Sequence, residues 1–103
     1  MKLRLSKQNL RFRLNPKDMT ELTEKKSVRD QIHITPEIVW GYNLTLTSVL
    51  STQVFSKGSH VEVQVPEIEF LNWLASQEIE WNYQQHEPPL LVCIEKDLKP
   101  NRI

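Results

Sequence analysis

Glycine is scarce in this sequence: among 103 residues only Gly41 and Gly58 occur. Two isolated glycines cannot build a Gly-rich phosphate loop or a dinucleotide fingerprint. Cysteine is scarcer still. Cys93 stands alone, which excludes an internal disulfide and a cysteine metal cluster, and a reducing cytoplasm is the expected location. His33, His60 and His86 lie far apart with no HxH or HxxxH spacing, so neither a metal nor another cofactor is expected. No apolar run approaches the roughly 20 residues of a membrane span, and the basic N-terminus never enters the apolar stretch of a signal peptide. The formal net charge is zero, whereas nucleic-acid binders are usually basic; nucleic acid is not an expected partner.

What is present fits an ordinary globular chain. Hydrophobic content of 39% and charged content of 25% are enough for a core, and the length predicts one domain over residues 1–103. The zero net charge conceals an asymmetry. Up to Lys17 the chain carries Lys2, Arg4, Lys7, Arg11, Arg13 and Lys17 without an acid, and Glu62 to Glu87 carries acids without Lys or Arg. The plain reading is compensation between basic and acidic strands side by side in one sheet.

The first fourteen residues, MKLRLSKQNLRFRL, read as a β-hairpin. Side chains alternate faces along a strand, so Leu3 and Leu5 oppose Lys2 and Arg4, and Leu10, Phe12 and Leu14 oppose Arg11 and Arg13. Reversal at Lys7-Gln8, or in a wider loop from Ser6 to Asn9, sets Leu5 against Leu10, Leu3 against Phe12, Arg4 against Arg11 and Lys2 against Arg13. A slip of one residue would pair leucines with arginines, which fixes the register. At the tip, Asn9 is the residue best suited to positive φ.

Asn15-Pro16-Lys17-Asp18 is a helix start, with a capping Asn, Pro at the first position and Asp for the dipole; the helix is expected over Pro16 to Lys26. Gln31 to Thr35 alternates as a strand. From Ile38 the even positions Trp40, Tyr42, Leu44 and Leu46 predict a long half-buried strand, in which Gly41 marks a bulge or a close neighbour. Ser51 to Ser56 and His60 to Val65 flank a turn at Lys57-Gly58. A second helix is expected from Pro66 to about Gln77, with Glu67 and Glu69 in its first turn. Its apolar residues spread over more than half the circumference, so its Phe70/Trp73 edge is a candidate self-association surface. Glu78 to Tyr83 alternates again. Leu90 to Ile94, apolar on both faces, reads as a central strand holding a buried Cys93, and Lys99 to Ile103 as a loose tail. The fold class is therefore α+β, a mainly antiparallel sheet in the order ββ-α-ββββ-α-ββ with two helices and no internal repeat.

No catalytic signature accompanies this order, and an enzyme is the less expected outcome. Two places carry chemistry. One is the basic hairpin face of Lys2, Arg4, Arg11 and Arg13; the other is the charged run Glu95-Lys96-Asp97, where a buried strand ends. The leading expectation is a cytoplasmic binding or interaction domain that engages an anionic small molecule or an acidic protein through the hairpin face. One rival is a small enzyme using Glu95 or Asp97 as acid/base beside the arginines. Another is a structural subunit that forms a homodimer through the second helix.

The opening MKLRLSKQNLRFRLNPKDMTEL and the closing LLVCIEKDL together resemble a family of short, uncharacterised bacterial proteins, a domain of unknown function. Its members open on an MKLRL…LRFRL-type hairpin and close on an LLVxIEKDL-type strand. The family carries Gly-Asn at the hairpin tip where this chain has Lys7-Gln8-Asn9, which leaves the turn type open. The resemblance implies no activity. It points to Arg4, Arg11, Arg13, Glu95, Lys96 and Asp97 as matching positions without giving them roles.

Overall fold

The computed structural model describes residues 1–98; the expected tail Lys99 to Ile103 lies outside them. Strands β1 (Lys2–Ser6) and β2 (Asn9–Leu14) lead into helix α1 (Pro16–Lys25), followed by β3 (Ser27–His33), β4 (Val39–Thr47), β5 (Gln53–Lys57) and β6 (His60–Pro66). Helix α2 (Glu67–Ala75) and strands β7 (Glu80–His86) and β8 (Pro89–Lys96) complete the order ββ-α-ββββ-α-ββ. The fold is α+β, but its strands form two four-stranded sheets, β1-β2-β8-β7 and β3-β4-β6-β5. Each is two antiparallel hairpins joined by a central parallel pair, β2 with β8 and β4 with β6.

These sheets are the same object built twice. Replacing β1, β2, β3 and β4 by β5, β6, β7 and β8, and the reverse, turns one strand order into the other. The register follows: Arg11 opposite Cys93 corresponds to Glu62 opposite Asn43, and Arg13 opposite Glu95 to Gln64 opposite Thr45. A ββαββ unit is thus repeated in the topology, although the sequence shows no repeat. Strands constrain only face and size, so Phe12 and Val63, or Leu44 and Ile94, meet one requirement with different side chains.

One core lies between the inward faces and the helices. Phe12, Leu14, Val92 and Ile94 of one sheet and Leu44, Val63 and Val65 of the other are buried, with Leu22 of α1 and Phe70 and Trp73 of α2. The Phe12 and Tyr42 rings meet across it at 6.3 Å. Phe70, Trp73 and Trp81 pack with centroids 5.0 to 6.1 Å apart.

Local expectations fare unevenly. The β1–β2 register is the expected one, pair for pair. Positive φ at the tip falls on Gln8 instead of Asn9, because Gln8 is held from outside the turn: its carbonyl accepts from Leu91 N–H and its side chain donates to Pro89. Gly41 does mark a close neighbour, since a Cβ there would stand 2.6 Å from His60 Nδ1. The expected strand Gln31 to Thr35 is displaced to Ser27–His33, and Ile32, Ile34 and Trp40 are about half exposed.

Candidate functional site

The hairpin register that buries Phe12 and Leu14 sends Lys2, Arg4, Arg11 and Arg13 to the outer face of the β1-β2-β8-β7 sheet. Arg4 lies opposite Arg11 and Lys2 opposite Arg13. Beside β2, the parallel strand β8 presents Cys93 and Glu95 on the same face. Glu95 answers two of the cations. Arg11 Nη1 donates to its Oε2 and Arg13 Nε to its Oε1, each at 3.1 Å. Its side chain is largely covered, while the guanidinium groups remain near half exposed. No carboxylate lies within 4.0 Å of the Lys2 or Arg4 cation among the described residues. The depression framed by Lys2, Arg4, Arg11, Arg13 and Glu95 encloses about 220 Å³.

The acidic block from Glu62 to Glu87 is not laid against this face as a unit. Glu62 is in the other sheet, Glu67 and Glu69 are on α2, and Glu80 of β7 lies opposite Glu95 of β8. Cys93 sits between them, buried, with Sγ 3.5 Å from Glu80 Oε1. Burial first, then the Glu80 hydrogen bond and the nearby carboxylates, push the thiol up to about 11 against the pull of Arg11.

Glu95, Lys96 and Asp97 go separate ways. Alternation turns Glu95 outward and Lys96 into the core. Lys96 Nζ donates to the carbonyls of Trp73 and Ser76, both at 2.8 Å, and lies 4.7 Å from the Trp73 ring centre. It supplies the cation that the last turn of α2 lacks. Desolvation lowers its pKa, opposed by Glu78. The Asp97 backbone N–H donates to the Leu14 carbonyl at 2.7 Å and extends the central β2–β8 pairing by one hydrogen bond. Phe70 and Trp73 are buried within the chain, and the open side of α2 carries Ile68 instead.

A second polar cluster occupies the matching outer face of the other sheet. Buried Asn43 accepts from His60 Nε2 and donates to Thr45 Oγ1 at 2.7 Å and Glu62 Oε1 at 3.1 Å. Gln64 also donates to Glu62, and these hydrogen bonds, Gln64 before Asn43, hold that carboxyl below its usual range. As single strands, these residues read only as a wet face. The parallel register that aligns Asn43 with Glu62 was the missing signal.

Among the described residues no group of three or more His, Cys, Asp or Glu could hold a metal ion, and no helix is long and apolar enough to cross a membrane. No curated protein and no solved structure matches the chain. Residues 1–100, from the basic hairpin through the strand that delivers Glu95, match the model of a family of unknown function, DUF7009, and the chain belongs to that family.

Proposed function

We propose that this protein is a small cytoplasmic binding domain that takes an anionic ligand, or an acidic surface of a partner, on the outer face of the β1-β2-β8-β7 sheet. The observation that carries this reading is the ratio of four cations to one carboxylate around a single depression. Like-charged residues directly opposite each other on a sheet repel. Glu95 relieves that repulsion at Arg11 and Arg13, while Lys2 and Arg4 keep their donors open to solvent. Both oxygens of Glu95 are engaged by guanidinium groups, which occupies the carboxylate that the enzyme reading would use.

The test is a thermal melt with phosphate, polyphosphate, nucleotides and citrate. An anion present at about 100 times its Kd adds roughly 2.7 kcal/mol of stability. In a domain of this size that raises Tm by roughly 10–20 °C. At least one anion should produce such a shift, reduced by salt and absent in Lys2→Ser/Arg4→Ser, while neutral sugars leave the melt unchanged. If no anion moves the wild-type melt, the basic face is structural and the reading fails.

A further inference from the structure

We propose a docking groove for a basic, amphipathic segment of a partner protein between the β4–β5 loop and the first turn of α2. Leu50, 96% exposed, and Ile68, 76% exposed, are the two most exposed large hydrophobic side chains among the described residues. Both line one mainly apolar groove of about 420 Å³, together with Val49 and Pro66. Two strongly exposed aliphatic groups sharing one concavity form a contiguous patch of the kind that marks interaction sites. The charge around them has one sign: Glu67 and Glu69 line the groove, and no Lys, Arg or His does. Lys26 approaches Glu67 only loosely, at 3.7 Å with both side chains more than 40% exposed. No cation lies within 4.0 Å of Glu69 among the described residues.

The repeated topology shows that the fold does not require this patch. The residue of α1 that corresponds to Ile68 is Lys17, and the one that corresponds to Glu69 is Asp18. Asp18 is occupied by its capping box and by the amino group of Met1. The same helix start therefore works with a polar second residue and an internally engaged acid. In α2 the equivalent positions are turned outward with an apolar group and an open carboxylate. The loop is already formed, with Val49 N–H donating to Thr47 Oγ1 at 3.2 Å and Thr52 buried, so little ordering opposes binding. An apolar anchor seated between Leu50 and Ile68, followed by Lys or Arg meeting Glu69, satisfies both features.

The probe is a fluorescent synthetic peptide of alternating Leu and Lys, followed by anisotropy against the full chain, beside a Leu/Glu peptide of the same length. The Leu/Lys peptide should bind with an affinity that salt weakens. Leu50→Ser/Ile68→Ser and, separately, Glu69→Lys should each weaken it about tenfold or more, and Lys2→Ser/Arg4→Ser should leave it unchanged. Near-UV circular dichroism of the Trp73/Trp81 cluster confirms that each variant is folded. Equal binding by a folded groove variant, or by the Leu/Glu peptide, overturns the proposal. So does a wild-type dimer, without peptide, that becomes monomeric in Leu50→Ser/Ile68→Ser, because a second copy is then the occupant.

Discussion

Helix α1 carries its own stop and start signals, whereas helix α2 depends on a strand from the far end of the chain. In α1, Asn15 and Asp18 form a reciprocal capping box. Lys26 turns left-handed at φ 63° and returns its N–H to Leu22. In α2, Pro66 offers no capping side chain, and the last turn has no basic residue. Lys96 enters from β8 and donates to the carbonyls of Trp73 and Ser76 at the end of the helix. Its counterpart in the other half is Leu46, an ordinary core residue. Ser76 also caps α2 locally, its N–H and Oγ donating to the Trp73 carbonyl, so the two halves end their helices differently: by local bonds alone in α1, and by local bonds joined by a distant cation in α2.

The widest energetic gap between the halves should appear at the fourth residue of each helix, Met19 in α1 and Phe70 in α2. Phe70 is fully buried against Trp73 and Trp81, and Met19 is only partly covered. Phe70→Ala should cost about 3–5 kcal/mol in urea unfolding, and Met19→Ala less than half of that. Equal losses would break the asymmetry.

Next in size is an alkaline effect that begins at Cys93 in one sheet and is joined at higher pH by Tyr42 in the other, whose pKa burial raises. The thiol of Cys93 is raised to about 11 in the folded chain from a usual 9.0. Stability from this group is complete below pH 9 and declines as pH rises toward 11, since the unfolded thiol ionises first. The loss is on the order of 2 kcal/mol across that window. Lys96 acts in the opposite direction, its depressed pKa making the fold more favourable as it deprotonates. Cys93→Ala isolates the thiol: the variant should lack the part of the decline that begins near pH 9, and keep the part above pH 10 that belongs to Tyr42. A native Cys93 should also react slowly with thiol reagents, and fast labelling without denaturant would mean that the site is open.

The smallest effect sharpens the contrast between the outer faces. Arg4 opposite Arg11 corresponds to Phe55 opposite Glu62. Arg4→Glu replaces a repulsive pair by an attractive one and should stabilise by roughly 0.2–1 kcal/mol. Phe55→Glu sets two carboxylates against each other and should destabilise by a similar amount. The same sign for both variants would show that the faces are not electrostatic opposites.

Legibility in the sequence followed the same local and tertiary division. Both ends of α1 were readable to within a residue: Asn15, Pro16 and Asp18 mark the start, and the chain itself turns at Lys26. The expected end of α2 at Gln77 lies past the observed Ala75, because the group that receives its last carbonyls is twenty residues away in sequence at Lys96. The β1–β2 register was legible since a period of two leaves one solution. The division into two sheets was not, because a parallel pair joins strands distant in sequence and leaves no local mark. Ile32 and Trp40 show that alternation gives the face of a strand and not its cover: both stand about half exposed. Of the candidate face, alternation gave the four cations. Their pairing with Glu95 required the β2–β8 register.

That register has a consequence for the order of assembly. Asn43 and Glu62 are separated by 19 residues, so the β4–β6 pair closes within the middle of the chain. Arg13 and Glu95 are separated by 82, so the β2–β8 pair closes only when both ends are present. Contacts of such long range are the slow ones in folding. During synthesis, the first hairpin leaves the ribosome with Arg11 and Arg13 bare. It is therefore more strongly basic as a nascent segment than in the finished protein, and the arrival of Glu95 with the final strand brings that interval to an end.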